Sequence, residues 1–115
     1  MIKLLIALLM GHAIADFGLQ SQQMAKGKNR NVPKEYVPPG QTIQICWPYY
    51  LCAHGLIHGA MVALITHNVW LGLAETICHS LIDFGKCENC YGIHEDQFMH
   101  FVCKVVWCFM VIRWQ

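Results

Sequence analysis

Glu75-Thr-Ile-Cys-His79-Ser-Leu-Ile-Asp83-Phe-Gly-Lys86 is the stretch that decides how this chain is read. Three side chains able to bind a metal stand four residues apart in a mostly apolar run. A helix turns once in about 3.6 residues, so Glu75, His79 and Asp83 share one face, each roughly one turn above the last. The arrangement returns three times, as His12/Asp16, His54/His58 and Asp96/His100. The fold expected is all-α: a four-helix transmembrane bundle that gathers these pairs around an intramembrane metal site.

Composition argues against chance spacing. The 115 residues are 56% hydrophobic and only 13% charged, against about 25% charged in an average soluble protein. All three aspartates and five of the seven histidines fall in the four motifs. At this length a single domain, 1–115, is expected. The net charge of +1 by itself says nothing about nucleic acid, which is not expected as a partner. Half of the basic residues (Lys26, Lys28, Arg30 and Lys34) nevertheless sit in one short segment.

Outward from the motifs, four apolar segments are predicted as helices at about 2–20, 47–66, 69–84 and 96–114. A polar loop 21–45, with Pro33, Pro38 and Pro39, separates the first two, and a cysteine-containing link 85–95 the last two. A loop that long in a small domain suits a cover for a site. Each segment approaches the ~20 residues that cross a bilayer core, the third being shortest at about 24 Å. Trp47, Tyr49, Tyr50, Trp107 and Trp114 lie toward segment ends, as interfacial aromatics do; His67 and His94 are also read as interfacial. Lys3, the apolar run and Ala13-Ile14-Ala15 also fit a cleaved leader. Retention is expected, because His12 and Asp16 repeat the pairing of the other three segments.

Placing the basic loop in the cytoplasm by the positive-inside rule puts all four pairs at a similar depth beneath that face. The localisation expected is therefore a bacterial inner (cytoplasmic) membrane, multi-pass, with the lipid bilayer as the first partner and a homo-oligomer or membrane-protein partner as further options. The rival is a soluble four-helix bundle with a greasy surface.

Ionisable groups in a membrane are costly and usually face a partner or a polar cavity. Nine are candidates for metal: His12, Asp16, His54, His58, Glu75, His79, Asp83, Asp96 and His100. That is too many for one ion and suits two divalent ions, with Glu75 either a ligand or the catalytic base. Mixed imidazole and carboxylate donors favour zinc, with manganese, iron or cobalt as alternatives. Gln20 and Lys86 lie where a bound anion would touch them. Seven cysteines would suit a disulfide scaffold in a secreted chain. Cys78, Cys103 and Cys108 lie in apolar helical runs, however, so an extensive framework is not expected. Cys87-Glu-Asn-Cys90 has zinc-like spacing but needs two more ligands, for which Cys46, Cys52 or His94 are available; a disulfide or free thiols fit equally.

The ordered set His12-x3-Asp16-Phe-x2-Gln20, Met24-Ala25-x2-Lys28, His54-x3-His58, Glu75-x3-His79-x2-Ile82-Asp83-x2-Lys86 and Asp96-Gln97-x2-His100 resembles a family of small bacterial and phage membrane proteins of unknown function. That family is similar in turn to the LexA-regulated membrane-bound metal-dependent hydrolases. The resemblance covers nearly the whole chain and implies a metal-binding integral membrane protein, located in the membrane of a bacterium or of a phage's host. The chain departs from the pattern in the proline-containing loop 31–40 and the Cys87/Cys90 link.

Three functions follow as expectations. The first is a metal-dependent hydrolase acting on a phosphoester or a lipid-linked anionic substrate at the cytoplasmic face. The second is a metal-stabilised membrane module that binds or inhibits a partner protein. The third is a metal or proton carrier.

Overall fold

A computed structural model describes residues 1–32 and 39–114; the side chains at 43–45 and 114 lie outside that description. The expectations resting on Pro33, Lys34, Pro38 and the Trp114 ring therefore lie outside the described residues. Among those described the chain is all-helical. Its elements are α1 (Ile2–Ala13), a π-helical turn (Ile14–Gly18), α2 (Gln22–Gly27), α3 (Ile43–Thr66), α4 (Val69–Cys87) and α5 (Ile93–Trp114).

The boundaries follow local chemistry. Asn68 caps α4, its side chain accepting from the backbone N–H of Trp70 (3.0 Å) and Leu71 (3.2 Å). His67 ends α3 in the left-handed conformation (φ 53°), so the connection between α3 and α4 is tight. Both His67 and His94 are exposed at helix ends. The first segment is less regular than its apolar run suggests. It widens into a π turn, closed by Leu19 N–H on Ile14 O at 2.9 Å, and this turn carries Asp16. Helix α2 lies inside the stretch expected as loop, capped by Ser21, whose hydroxyl accepts from Met24 N–H.

The helices alternate in the direction they run through the bundle. One end is an apolar plug of Leu8, Val62, Leu71, Trp107, Cys108 and Val111. The other is a polar chamber holding His54, His58, Glu75, His79, Asp83, Asp96, His100 and Lys104, all fully buried, with His12 beside them. Trp107 corrects one expectation. It is buried in the plug rather than interfacial, because its indole N–H donates inward to Glu75.

Helices α3 and α4 meet at glycines. A Cβ added to Gly72 would lie 2.6 Å from Gly59 O and 2.7 Å from the Ala63 Cβ, closer than real atoms approach. Gly55-Leu-Ile-His58-Gly59 is a small-x3-small motif interleaved with the histidine pair. The same close contact that excludes side chains at the seam brings His54 and His58 against His79.

The outward faces are apolar on every long helix. Exposed side chains recur every fourth residue at Ile2, Ile6 and Met10 in α1 and Ile14 in the π turn, and at Val69, Leu73, Ile77 and Leu81 in α4. Leu56 and Leu64 on α3, and Phe98, Phe101, Val102, Val106, Phe109 and Ile112 on α5, continue the belt. One helix stretch, Cys46–Thr66, is long and apolar enough to cross a membrane by length and composition. Helices α4 and α5 carry acidic, basic and histidine side chains on their inner faces, which lower any average taken around the whole helix.

Gly72→Val tests the seam. Forcing a branched side chain against Gly59 O should destabilise the fold by about 3 kcal/mol, at the upper end of over-packing effects. Thermal unfolding followed by circular dichroism reads this out; a wild-type melting curve would contradict the seam.

Candidate metal centre

Glu75, His79 and Asp83 all point into the chamber, as their spacing requires; α4 buries Leu71, Glu75, His79, Asp83 and Cys87, one residue per turn. Asp16 enters from the π turn, His54 and His58 from α3, and Asp96 and His100 from α5. The imidazoles pack as a cluster: His58 stacks on His79 with ring centroids 3.5 Å apart, and His79 stacks on His100 at 4.1 Å.

Two groups of donors converge closely enough to hold an ion: Asp16, His54, His58 and His79, and then His79, Asp83 and His100. In the first, Asp16 Oδ1 lies 3.2 Å from His54 Nε2 and 3.4 Å from His58 Nε2, while His54 Nε2 and His79 Nε2 are 3.1 Å apart. A tetrahedral zinc with bonds of about 2.0–2.1 Å has ligand-to-ligand edges of about 3.3 Å, so these separations fit. In the second, Asp83 Oδ2 lies 3.7 Å from His79 Nε2, and Asp83 Oδ1 lies 3.6 Å from His100 Nε2. Asp96 Oδ1, also 3.6 Å from His100 Nε2, borders this group.

Two of the donor rings lack hydrogen bonds. Both nitrogens of His58 and of His100 are buried without a hydrogen-bond partner among the described residues, as is Asp96 Oδ1. Buried polar atoms are nearly always satisfied, and one left bare costs about 1–3 kcal/mol. Here several bare nitrogens face a shared centre together with carboxylates. A metal would satisfy one nitrogen of each ring, together with the carboxylate oxygens beside it.

The remaining candidates sit at the margins. His12 Nε2 is 3.7 Å from Asp16 Oδ2 and 3.5 Å from Gln97 Oε1, outside both donor groups. Gln20 donates to the backbone oxygen of Asp16 at 3.1 Å, and its own Oε1 is buried without a partner. Lys86 Nζ donates to Asp96 Oδ2 at 3.1 Å. No disulfide joins the seven cysteines, and no donor group among the described residues includes one; Cys87 is buried and Cys90 exposed.

Glu75 stands apart. Its Oε1 accepts from Lys104 Nζ and its Oε2 from Trp107 Nε1, both at 2.5 Å, and Oε1 faces His79 Nδ1 at 3.5 Å. It thus belongs to neither donor group, and it sits behind His79 on the side away from the other ligands. A carboxylate in that position fixes the orientation of a ligating imidazole. The Lys104 ammonium, 1% exposed, matches its charge.

Four polar contributors escape a motif search limited to metal donors. Lys104 continues the Asp96/His100 face by one further turn, a signal present in the sequence. Gln97 bridges Asp16 Oδ2 and Asp96 Oδ2, at 3.0 and 3.1 Å. Lys28, buried at the end of α2, donates to Asp83 Oδ2 across the chamber mouth. Arg30 pairs with Glu88 through two bonds of 2.7 Å and ties the segment after α2 to the end of α4. The Arg30 hydrogen bonds hold the Glu88 carboxyl below its usual range, so this exposed tie is intact near neutrality and is lost as pH falls through that lowered value.

Residues 4–115 match the family "Protein of unknown function (DUF3307)", and the chain belongs to that family. No curated protein and no solved structure matches it.

The ion pair behind His79 yields a test. Lys104→Met should strand the Glu75 carboxylate and destabilise the protein by about 3–5 kcal/mol. Adding Glu75→Gln should recover part of the loss. The unfolding midpoint in detergent measures both, and equal stability of wild type and single variant would contradict the pairing.

Proposed function

We propose that this member of the DUF3307 family is a membrane-embedded hydrolase that uses two divalent ions. The substrate is a phosphoester or a lipid-linked anion, met at the cytoplasmic face of a bacterial inner membrane or of a phage host's membrane. The observation that carries the metal reading is the set of buried, unpartnered imidazole nitrogens converging with carboxylates on one centre. The inverted distribution of polarity supports the membrane reading, with ionisable groups inside and Leu, Ile, Val and Phe outside on every long helix. Monomeric soluble proteins rarely expose contiguous apolar patches beyond a few hundred Å². A bilayer covers such a belt without needing a specific partner surface.

Asp16, His54, His58 and His79 suit one ion, as a complete four-donor set; zinc is favoured by this mixture. Asp83, His100 and the neighbouring Asp96 suit a second, with open positions for substrate. Such a pair of ions supplies Lewis acidity at a phosphoryl oxygen and an activated water near neutral pH. The protein's own groups do the rest. Glu75, held by Lys104 and Trp107, keeps the His79 ring oriented, a role that replaces that of ligand or base in this reading. The apolar plug excludes water from one end of the chamber. Lys28, Lys86, Gln97 and Gln20 surround the other end, where an anion enters.

Detergent-purified protein should contain two divalent ions per chain by elemental analysis, and His79→Ala, which removes a donor from the four-donor set, should retain no more than one. Metal-loaded wild type should hydrolyse a member of a phosphoester and phospholipid panel, with activity abolished by chelation. Protein without bound metal overturns the metal reading. Metal-loaded protein inert across the panel overturns the hydrolase and points to a structural metal in a partner-binding module.

A further inference from the structure

Two lysines at the chamber mouth are held by carboxylates that a metal would claim. Lys28 Nζ donates to Asp83 Oδ2, and the same oxygen lies 3.3 Å from His54 Nε2 and 3.7 Å from His79 Nε2. Lys86 Nζ donates to Asp96 Oδ2, whose other oxygen lies 3.6 Å from His100 Nε2. The ammonium groups come from different elements, the end of α2 and the last turn of α4. Lys28 is 5% exposed, a burial that lysine tolerates only with a partner.

Charge balance shows what happens when metal enters. With neutral histidines, Asp16, Asp83 and Asp96 outnumber Lys28 and Lys86 by one, while Glu75 and Lys104 cancel. One divalent ion turns this slight negative excess positive, and a second makes the excess large. Buried charge of one sign is costly unless it is matched. Carboxylates drawn to the ions would leave the Lys28 and Lys86 ammonium groups at the mouth without counterions. An anion is what the loaded chamber then lacks.

We propose that Lys28 and Lys86 act as placeholders for metal, and that metal loading releases them to form, with the ions, a seat for a tetrahedral oxyanion of the phosphate class. The inference rests on the metal reading above and adds to it the order of events: metal first, anion second. It also assigns to Lys28 a role in anion binding. Any ammonium beside the donors opposes a cation; one that also seats the anion has the opposite effect on the two ligands. Removing the placeholder should therefore tighten metal while weakening the anion.

The test uses the full chain in detergent, with zinc as the metal and inorganic phosphate as the probe. Zinc affinity is measured by chelator competition and phosphate affinity by calorimetry, on wild type, Lys28→Met, Lys86→Met and Lys28→Arg. Wild type should bind phosphate only when zinc-loaded. Each Met variant should bind zinc more tightly and phosphate about ten- to a hundredfold more weakly, the scale of one charged hydrogen bond. Lys28→Arg should retain phosphate binding. Lys86, being more exposed than Lys28, keeps the test available should Lys28→Met fail to fold. Nanodiscs with and without phosphatidic acid distinguish the source of the anion: displacement of phosphate only by phosphatidic acid discs assigns the seat to a lipid headgroup, and its absence to a soluble oxyanion. Zinc-loaded wild type that binds no phosphate overturns the inference but leaves the metal reading standing, as do Met variants with unchanged phosphate affinity or weakened zinc. Failure of wild type to bind zinc overturns both.

Discussion

Asp83 is the residue on which the rest of the structure converges. Its two oxygens meet Lys28 from α2, His54 from α3, His79 from its own helix and His100 from α5. A carboxylate buried this deeply is tolerable only if charge and hydrogen bonds are brought to it. The groups that answer that demand come from helices distant in sequence. The glycine seam between α3 and α4 allows His54 to reach it, and the ordering of α2 allows Lys28 to do so. Removing the carboxylate would leave the imidazoles and the lysine without the centre they share.

The outward side of the same helices makes the complementary demand. On α4 the buried line Glu75, His79, Asp83 and the exposed line Leu73, Ile77, Leu81 are interleaved, so one helix presents polar chemistry inward and hydrocarbon outward. That is the reverse of a helix in water, where burial of apolar area drives folding. In a bilayer, close contact and satisfied polar groups hold helices together instead. Gly59 against Gly72 and Lys104 against Glu75 are interactions of those two kinds. A single arrangement, polar groups inside and apolar side chains outside, joins the seam, the ion pair and the chamber.

Much of this was legible in the sequence, for a definite reason. Four-residue spacing is geometric, so Glu75, His79 and Asp83 had to share a face once α4 formed, and the same holds for His54 with His58 and Asp96 with His100. What spacing leaves open is which side-chain atom meets which. Glu75 sits in register with the donors yet is taken by Lys104 and Trp107, because both reach it from α5 at a depth that only packing sets. Trp107 therefore reads as an interfacial aromatic until its indole partner is seen. Lys28 could not be paired with Asp83 from the chain alone, since the contact spans 55 residues and depends on a short helix within an expected loop. The π turn at Asp16 left no mark in the hydrophobic pattern, because winding one turn wider changes no residue type. The glycine motif at Gly55 and Gly59 was visible but is informative only beside Gly72.

Everything proposed for the chamber depends on metal binding by its imidazole and carboxylate groups. X-ray absorption at the zinc edge, on zinc-loaded full-length protein, tests it most directly. A metal held by the chamber gives a shell of nitrogen and oxygen at about 2.0–2.1 Å with the outer-shell signature of several imidazoles. A sulfur shell at about 2.3 Å, placing the metal on cysteines such as Cys87 and Cys90, would contradict it.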